Sequence, residues 1–118
     1  MSAGTWIGLG LLGGVGAVLR HLVDAAVAAR TSHHLPWGIF VVNISGAFGV
    51  GLLAGTGAGG DSFQLAGVGL LGAYTTFSTW MLQVEVLRRG GRRRAAITYV
   101  VASVLLGLAA VALGRALA

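Results

Sequence analysis

From Trp37 to Gly55 the chain reads WGIFVVNISGAFGVGLLAG, without one charged side chain. Coiled as an α-helix, such a run rises close to the thickness of a bilayer's hydrocarbon core, about 30 Å. In lipid every backbone N–H and C=O must be satisfied internally, which only helices and closed barrels achieve. The run is too long and too continuous for a barrel strand, so it predicts a membrane-spanning helix. Three further apolar stretches lie to either side, at about 5–29, 63–87 and 95–113. The first is clean through Leu19 and then carries Arg20, His21 and Asp24. The connections at 30–36, 56–62 and 88–94 are short, and no fixed-period repeat is present. The predicted architecture is therefore all-α and integral to the membrane: one domain over residues 1–118 with four transmembrane helices.

Composition agrees. Of 118 residues 56% are hydrophobic and 9% charged, and the mean hydropathy is +0.87. An average soluble domain carries about 25% charged residues, so this chain could not cover a soluble surface. A multi-pass protein of the cell (plasma or inner) membrane is expected. With no cysteine, disulfides, thiolate nucleophiles and cysteine-bound zinc are excluded, and the redox compartment stays open. The net charge of +5 comes from arginines, and Arg88, Arg89, Arg92, Arg93 and Arg94 crowd one connection. Such a cluster predicts a cytoplasmic loop touching anionic lipid, not a nucleic-acid surface. No basic residue precedes the first stretch, whose apolar run is long for a signal core, so it is expected to persist as a mature helix. His33 and His34 are adjacent and do not converge on one metal, so they are expected in a solvated loop. No catalytic constellation is present, and an enzyme is not expected.

Glycines and alanine recur at helical spacing as Gly10 and Gly14, Gly51 and Gly55, and the cluster Gly46, Ala47, Gly49. Rows of small residues let helix backbones approach closely. Four helices still make a thin bundle with little room for a private pore, so a dimer is the economical assumption.

Polar groups at membrane depth are functional candidates by default. Asn43 is one, in VVNISG; the third stretch holds LLGAYTTFSTW at Leu70–Trp80, with Thr75, Thr76, Ser78 and Thr79 around Phe77. The fourth offers Thr98, Tyr99 and Ser103, the last two at i, i+4 on one face. All are neutral, and the mid-membrane carboxylate or lysine of a proton-coupled carrier is missing. Gly72 followed by Tyr74-Thr75-Thr76 is poor helix material. Two readings stand side by side. A break near Gly72–Thr76 would free backbone carbonyls, tolerable in lipid only where they line a cavity or bind something, and suited to a hard monovalent cation such as sodium. Alternatively, each threonine bonds carbonyls of its own unbroken helix.

These residues resemble the CrcB/Fluc family of fluoride channels along almost the whole chain. The matching pieces are GGVGAVLRH at Gly13–His21, PWGIFVVNISGAFGVG at Pro36–Gly51 and GAYTTFST at Gly72–Thr79. The resemblance implies a passive channel exporting toxic fluoride, built as an antiparallel, dual-topology dimer with two pores and a central structural sodium ion that is not transported. Carried onto this chain, main-chain oxygens of Gly72 and Thr75 would hold the sodium. Asn43, Phe77, Ser78 and Thr79 would line the fluoride path, Tyr99 and Ser103 would continue it as a polar track, and Arg20 would stand near the vestibule. Two positions depart from the family pattern. Trp80 replaces the usual second phenylalanine of the path, keeping a positive ring edge but adding bulk and an N–H donor. Gln83 replaces the usual glutamate, and Glu85 lies two residues further on.

Arg20 and Asp24 stand at i, i+4 and either pair with each other or leave Arg20 to recruit anions at a pore mouth. A small multidrug-type four-helix transporter would require a membrane-embedded glutamate in the first helix, where the only acid is Asp24. A non-transporting membrane assembly protein would give no reason for hydroxyls flanking Phe77. The arginines also set an orientation. Arg30, Arg88, Arg89, Arg92, Arg93 and Arg94 fall on one side and Arg115 on the other, which favours external termini. A homodimer is expected on purification, and an oppositely oriented paralogue stays open as the cellular partner.

Overall fold

The computed structural model describes residues 1–32 and 34–118. His33 lies outside the described residues, and His34 sits exposed in a turn. The described residues form four helical stretches and no strand. The first helix, Ala3–Ala28, begins where Ser2 Oγ accepts the Thr5 amide at 3.1 Å, satisfying one of the orphan donors of a first turn. The second, Trp37–Gly55, has the predicted bounds. Pro36 stands just ahead of it, where its missing N–H forfeits no helical bond. The fourth, Arg93–Leu117, exceeds the predicted 95–113 at both ends. Gly91, at φ 77°, turns the chain before it so that the Arg92 amide returns to the Leu87 carbonyl at 2.9 Å. Ala3–Ala28, Trp37–Gly55 and Arg93–Leu117 are each long and apolar enough to cross a membrane. The chain is a multi-pass membrane protein.

The third apolar stretch is divided. It is helical over residues 60–74, stops, and resumes over Ser78–Arg89. Thr75 is extended at φ −81°, ψ 159°, so the break occupies residues 75–77, while Gly72 itself stays helical. The break is present, and Thr75 keeps only the side-chain bond of the alternative reading. Its Oγ1 donates to the Leu71 carbonyl at 3.0 Å, yet its backbone leaves the helix. The first half holds a feature that the apolar pattern does not announce: Gln64–Leu71 is π-helical, and the Gly72 amide reaches back to the Gly67 carbonyl. Runs of this length are rare, since π geometry usually appears as a single bulge, often at functional sites.

The tightest packing joins the second and fourth helices. A Cβ on Gly51 would strike the Val111 carbonyl, and one on Gly114 the Phe48 carbonyl, so the two backbones touch. Gly10 and Gly14, by contrast, face open space. At one end Thr5 Oγ1 donates to Asp61 Oδ2 at 3.1 Å; at the other, Arg92 donates to the His34 carbonyl. These contacts gather the N terminus with the second connection, and the first connection with the third, as four crossings require. Ile39, Val42, Leu87, Ala96 and Tyr99 are buried, whereas Trp6, Leu11, Leu105 and Leu108 point outward. So much outward apolar surface would be an aggregation liability in water and is the natural exterior of a protein in lipid.

Candidate functional site

The break is held by named groups. Asn43 Nδ2 donates to the Thr76 carbonyl at 3.0 Å, and the Thr76 amide donates to Asn43 Oδ1 at 2.9 Å. A side-chain amide from the second helix thus replaces the backbone partners that the third has lost. Thr76 is buried, and leaving either of these groups unmet would cost about 1–3 kcal/mol. The Thr76 hydroxyl also accepts the Thr79 amide at 3.3 Å, satisfying a first-turn donor of the resumed helix. Three residues beyond Asn43, Gly46 makes room: a Cβ there would collide with Thr75 Cγ2 and lie 3.3 Å from Tyr74 Cδ2.

The break also releases carbonyls. The amide that would ordinarily bond Gly72 O is that of Thr76, which goes to Asn43, and no other backbone amide at the break takes its place. Thr75 O receives only a long contact from Arg20 Nη1, 3.5 Å, leaving lone-pair capacity. Neutral oxygen donors of this kind suit a hard cation, so the chain's own residues fit the sodium site that the family resemblance implies. Arg20 meets the break and does not pair with Asp24. Among the described residues the salt bridges are those of Glu85 with Arg88 and Arg89, at 2.6 and 2.8 Å.

A groove of about 490 Å³ opens at the break, lined by Asn43, Thr75, Thr76, Phe77, Trp80 and Ser103 with apolar residues of the second and fourth helices. Four of the predicted path residues, Asn43, Phe77, Trp80 and Ser103, thus share one wall system although they come from three helices. Phe77 is 70% exposed, so its ring is not held in this chain's own core. It meets Trp80 edge to face, with centroids 5.7 Å apart and planes at 81°. Trp80 Nε1 and Ser103 Oγ are buried atoms with no protein hydrogen-bond partner.

The other predicted residues sit elsewhere. Ser78 is exposed at the start of the resumed helix, Thr79 is tied to Thr76, and neither lines the groove. Tyr99 is buried with Leu87 and Ala96, packed by Phe40 and Trp80, and its hydroxyl donates to Gln83 Oε1 at 2.8 Å. It lines a separate cavity of about 440 Å³ with Thr98, Arg92 and Arg94. Tyr99 and Ser103 therefore open on different spaces despite their i, i+4 spacing. Sequence reasoning missed the pairing of Thr76 with Asn43 and the role of Gln83 as Tyr99's acceptor. Both are long-range contacts without a local signal.

Comparison with known proteins places the sequence in a family. The family model described as CrcB-like protein, Camphor Resistance (CrcB), matches residues 7–115. The fluoride-specific ion channel FluC 2 of Mycobacterium tuberculosis is 48% identical over 115 residues, covering 98% of this chain and 91% of the relative. FluC 2 of Mycolicibacterium paratuberculosis is 50% identical over 113 residues, 96% of this chain and 93% of its own. A more distant one, FluC 1 of Symbiobacterium thermophilum, is 42% identical over 119 residues, 96% of each chain. These relatives carry the names of ion channels, a non-enzymatic class. With a match of that extent, this chain belongs to the CrcB-like family.

Proposed function

We propose that the chain is a passive, fluoride-selective channel that exports fluoride across the cell membrane and so relieves its toxicity. The observation that carries this reading is the groove at the break, whose polar lining offers neutral hydrogen-bond donors and no carboxylate or lysine. Fluoride is small and strongly hydrated, so a path must replace its water with placed donors. Asn43 spends one N–H on Thr76 and retains a second. Phe77 offers a positive ring edge. Neutral donors also satisfy the second demand on a conduction site, binding weak enough for release.

The functional unit is an antiparallel dimer with two pores. Phe77 supports this: unlike the other exposed apolar side chains it stands in the wall of the polar groove, which a second subunit would close. Carbonyls of Gly72 and Thr75, with those of the partner, would hold the structural sodium ion that the family resemblance implies. When bound, it satisfies oxygens that the break leaves unmet. The subunits are copies of this chain or, in the cell, this chain and an oppositely oriented paralogue. A cysteine at Ser2 labelled from outside intact cells separates the two: about half of the molecules labelled means dual topology, and complete labelling requires the second gene product.

The deciding experiment uses purified protein in liposomes loaded with potassium fluoride. On adding valinomycin, fluoride leaves quickly and, in parallel vesicles, chloride stays. Equal release of both anions, or of neither, overturns the proposal.

A further inference from the structure

Some hydroxyls of these helices and their ends bond their own backbone. Ser45 donates to the Val42 carbonyl, Thr56 to that of Leu53 and Thr75 to that of Leu71. Ser103 Oγ does not, although it is buried, and Trp80 Nε1 is buried without a partner in the same groove. Buried donors left unmet are costly, and native structures seldom keep them without a ligand or solvent to meet them. The indole N–H is a donor only, so whatever meets it is an acceptor, which rules out a cation. Neutral oxygens of Asn43, Thr75, Thr76 and Ser103 line the same groove, yet none lies within hydrogen-bonding reach of the indole N–H.

We infer that Trp80 Nε1–H and Ser103 Oγ–H form a direct anion-coordination station beside Asn43. Here a conventional N–H donor does what a bare aromatic edge would otherwise do. The identity of the anion rests on the fluoride-channel reading; the station itself rests on the two orphaned donors. The indole supplies a directional hydrogen bond at the point where Phe77 offers only an edge, which makes Trp80 a specificity-determining residue.

The test is the indole resonance of Trp80 in the intact protein in lipid nanodiscs, titrated with potassium fluoride and, separately, potassium chloride. Trp6 and Trp37, 62% and 43% exposed, serve as internal references. The Trp80 N–H signal should shift saturably with fluoride and not with chloride, and Ser103→Ala should raise the fluoride concentration needed. Trp80→Phe, which keeps a ring but loses the donor, should lower fluoride efflux about tenfold, the effect of one hydrogen bond to a charged group. Fluoride efflux from the parent with an unmoved Trp80 signal, or an equal shift in chloride, overturns the station while the channel reading stands. A parent without fluoride efflux strikes the channel reading instead, and the station then stands or falls on the indole signal alone.

Discussion

Gly46 and Gly51 lie five residues apart on the second helix and admit different neighbours. At Gly51 the neighbour is backbone, the Val111 carbonyl of the fourth helix; at Gly46 it is the methyl of Thr75 at the break. The first contact sets backbone against backbone, and it holds two helices at a fixed separation. The second seats a segment whose amide and carbonyl have left the helix and found Asn43. One helix therefore carries a rigid seam and, about a turn and a half away, the support of a polar break. Small residues alone do not distinguish the two, because what matters is whether the facing atom can move.

That difference can be broken most severely by filling the glycines. Gly51→Ala drives a methyl into a backbone carbonyl and should cost about 1–3 kcal/mol, read as a lower unfolding temperature in detergent. Gly46→Ala should cost a comparable amount, but Thr75→Ser removes the opposing methyl and keeps the hydroxyl that bonds Leu71. The double variant should recover most of the loss, whereas Thr75→Ser added to Gly51→Ala should recover nothing. Rescue of both, or of neither, would show that the seam and the break are not separate packing units.

Within the break, Asn43→Asp tests the clamp and the path together. It removes the donor to the Thr76 carbonyl and turns a carboxylate toward that oxygen and toward any passing anion. Fluoride efflux should fall at least about tenfold, with a measurable loss of thermal stability. Phe77→Ile should separate the two effects, because the exposed ring contributes little to this chain's own packing. Efflux should fall while each subunit stays folded. If both variants form dimers and conduct at the parental rate, neither residue lines the path. A smaller effect is expected from exchanging sodium for a larger monovalent cation throughout purification. The freed carbonyls of Gly72 and Thr75 then lose a fitting partner, and dimer stability or efflux should decline. Dimer stability and efflux that are both indifferent to the exchange would remove the sodium site.

Much of this was legible in the chain. The charge-free run at Trp37–Gly55 gave a helix with those bounds, because hydrophobic length is a local property. The break was foreshadowed by glycine and β-branched threonine, whose helix penalty is also local, although it falls at residues 75–77 with Gly72 still helical. The π-helical turn at Gln64–Leu71 was not legible, since apolar spacing does not separate i→i+4 from i→i+5 bonding over so short a run. Candidate residues could be chosen as polar groups at depth, but their partners could not. Asn43 and Thr76 are 33 residues apart, and their reciprocal bonds exist only once two helices are in register. Nor does spacing say what a face opens on: Tyr99 and Ser103 stand at i, i+4 but line two different cavities.

The smallest effect should come from Tyr99→Phe, and it bears on whether the second cavity belongs to the conduction path. The variant removes one hydroxyl, whose hydrogen bond to Gln83 Oε1 is 2.8 Å long. A neutral bond of that kind contributes about 0.5–1.5 kcal/mol net, and its loss leaves the glutamine oxygen unpaired. Adding Gln83→Leu removes that unpaired acceptor, so the double variant should be more stable than Tyr99→Phe alone if the tyrosine is a structural strut. Efflux should then be nearly unchanged in all three variants. If Tyr99 instead donates to the moving anion, its loss lowers efflux regardless of Gln83, while Gln83→Leu alone, by releasing the hydroxyl, raises or preserves it. Stability and efflux measured on the same three proteins decide between a strut and a station, because only a strut ties the two readouts to Gln83.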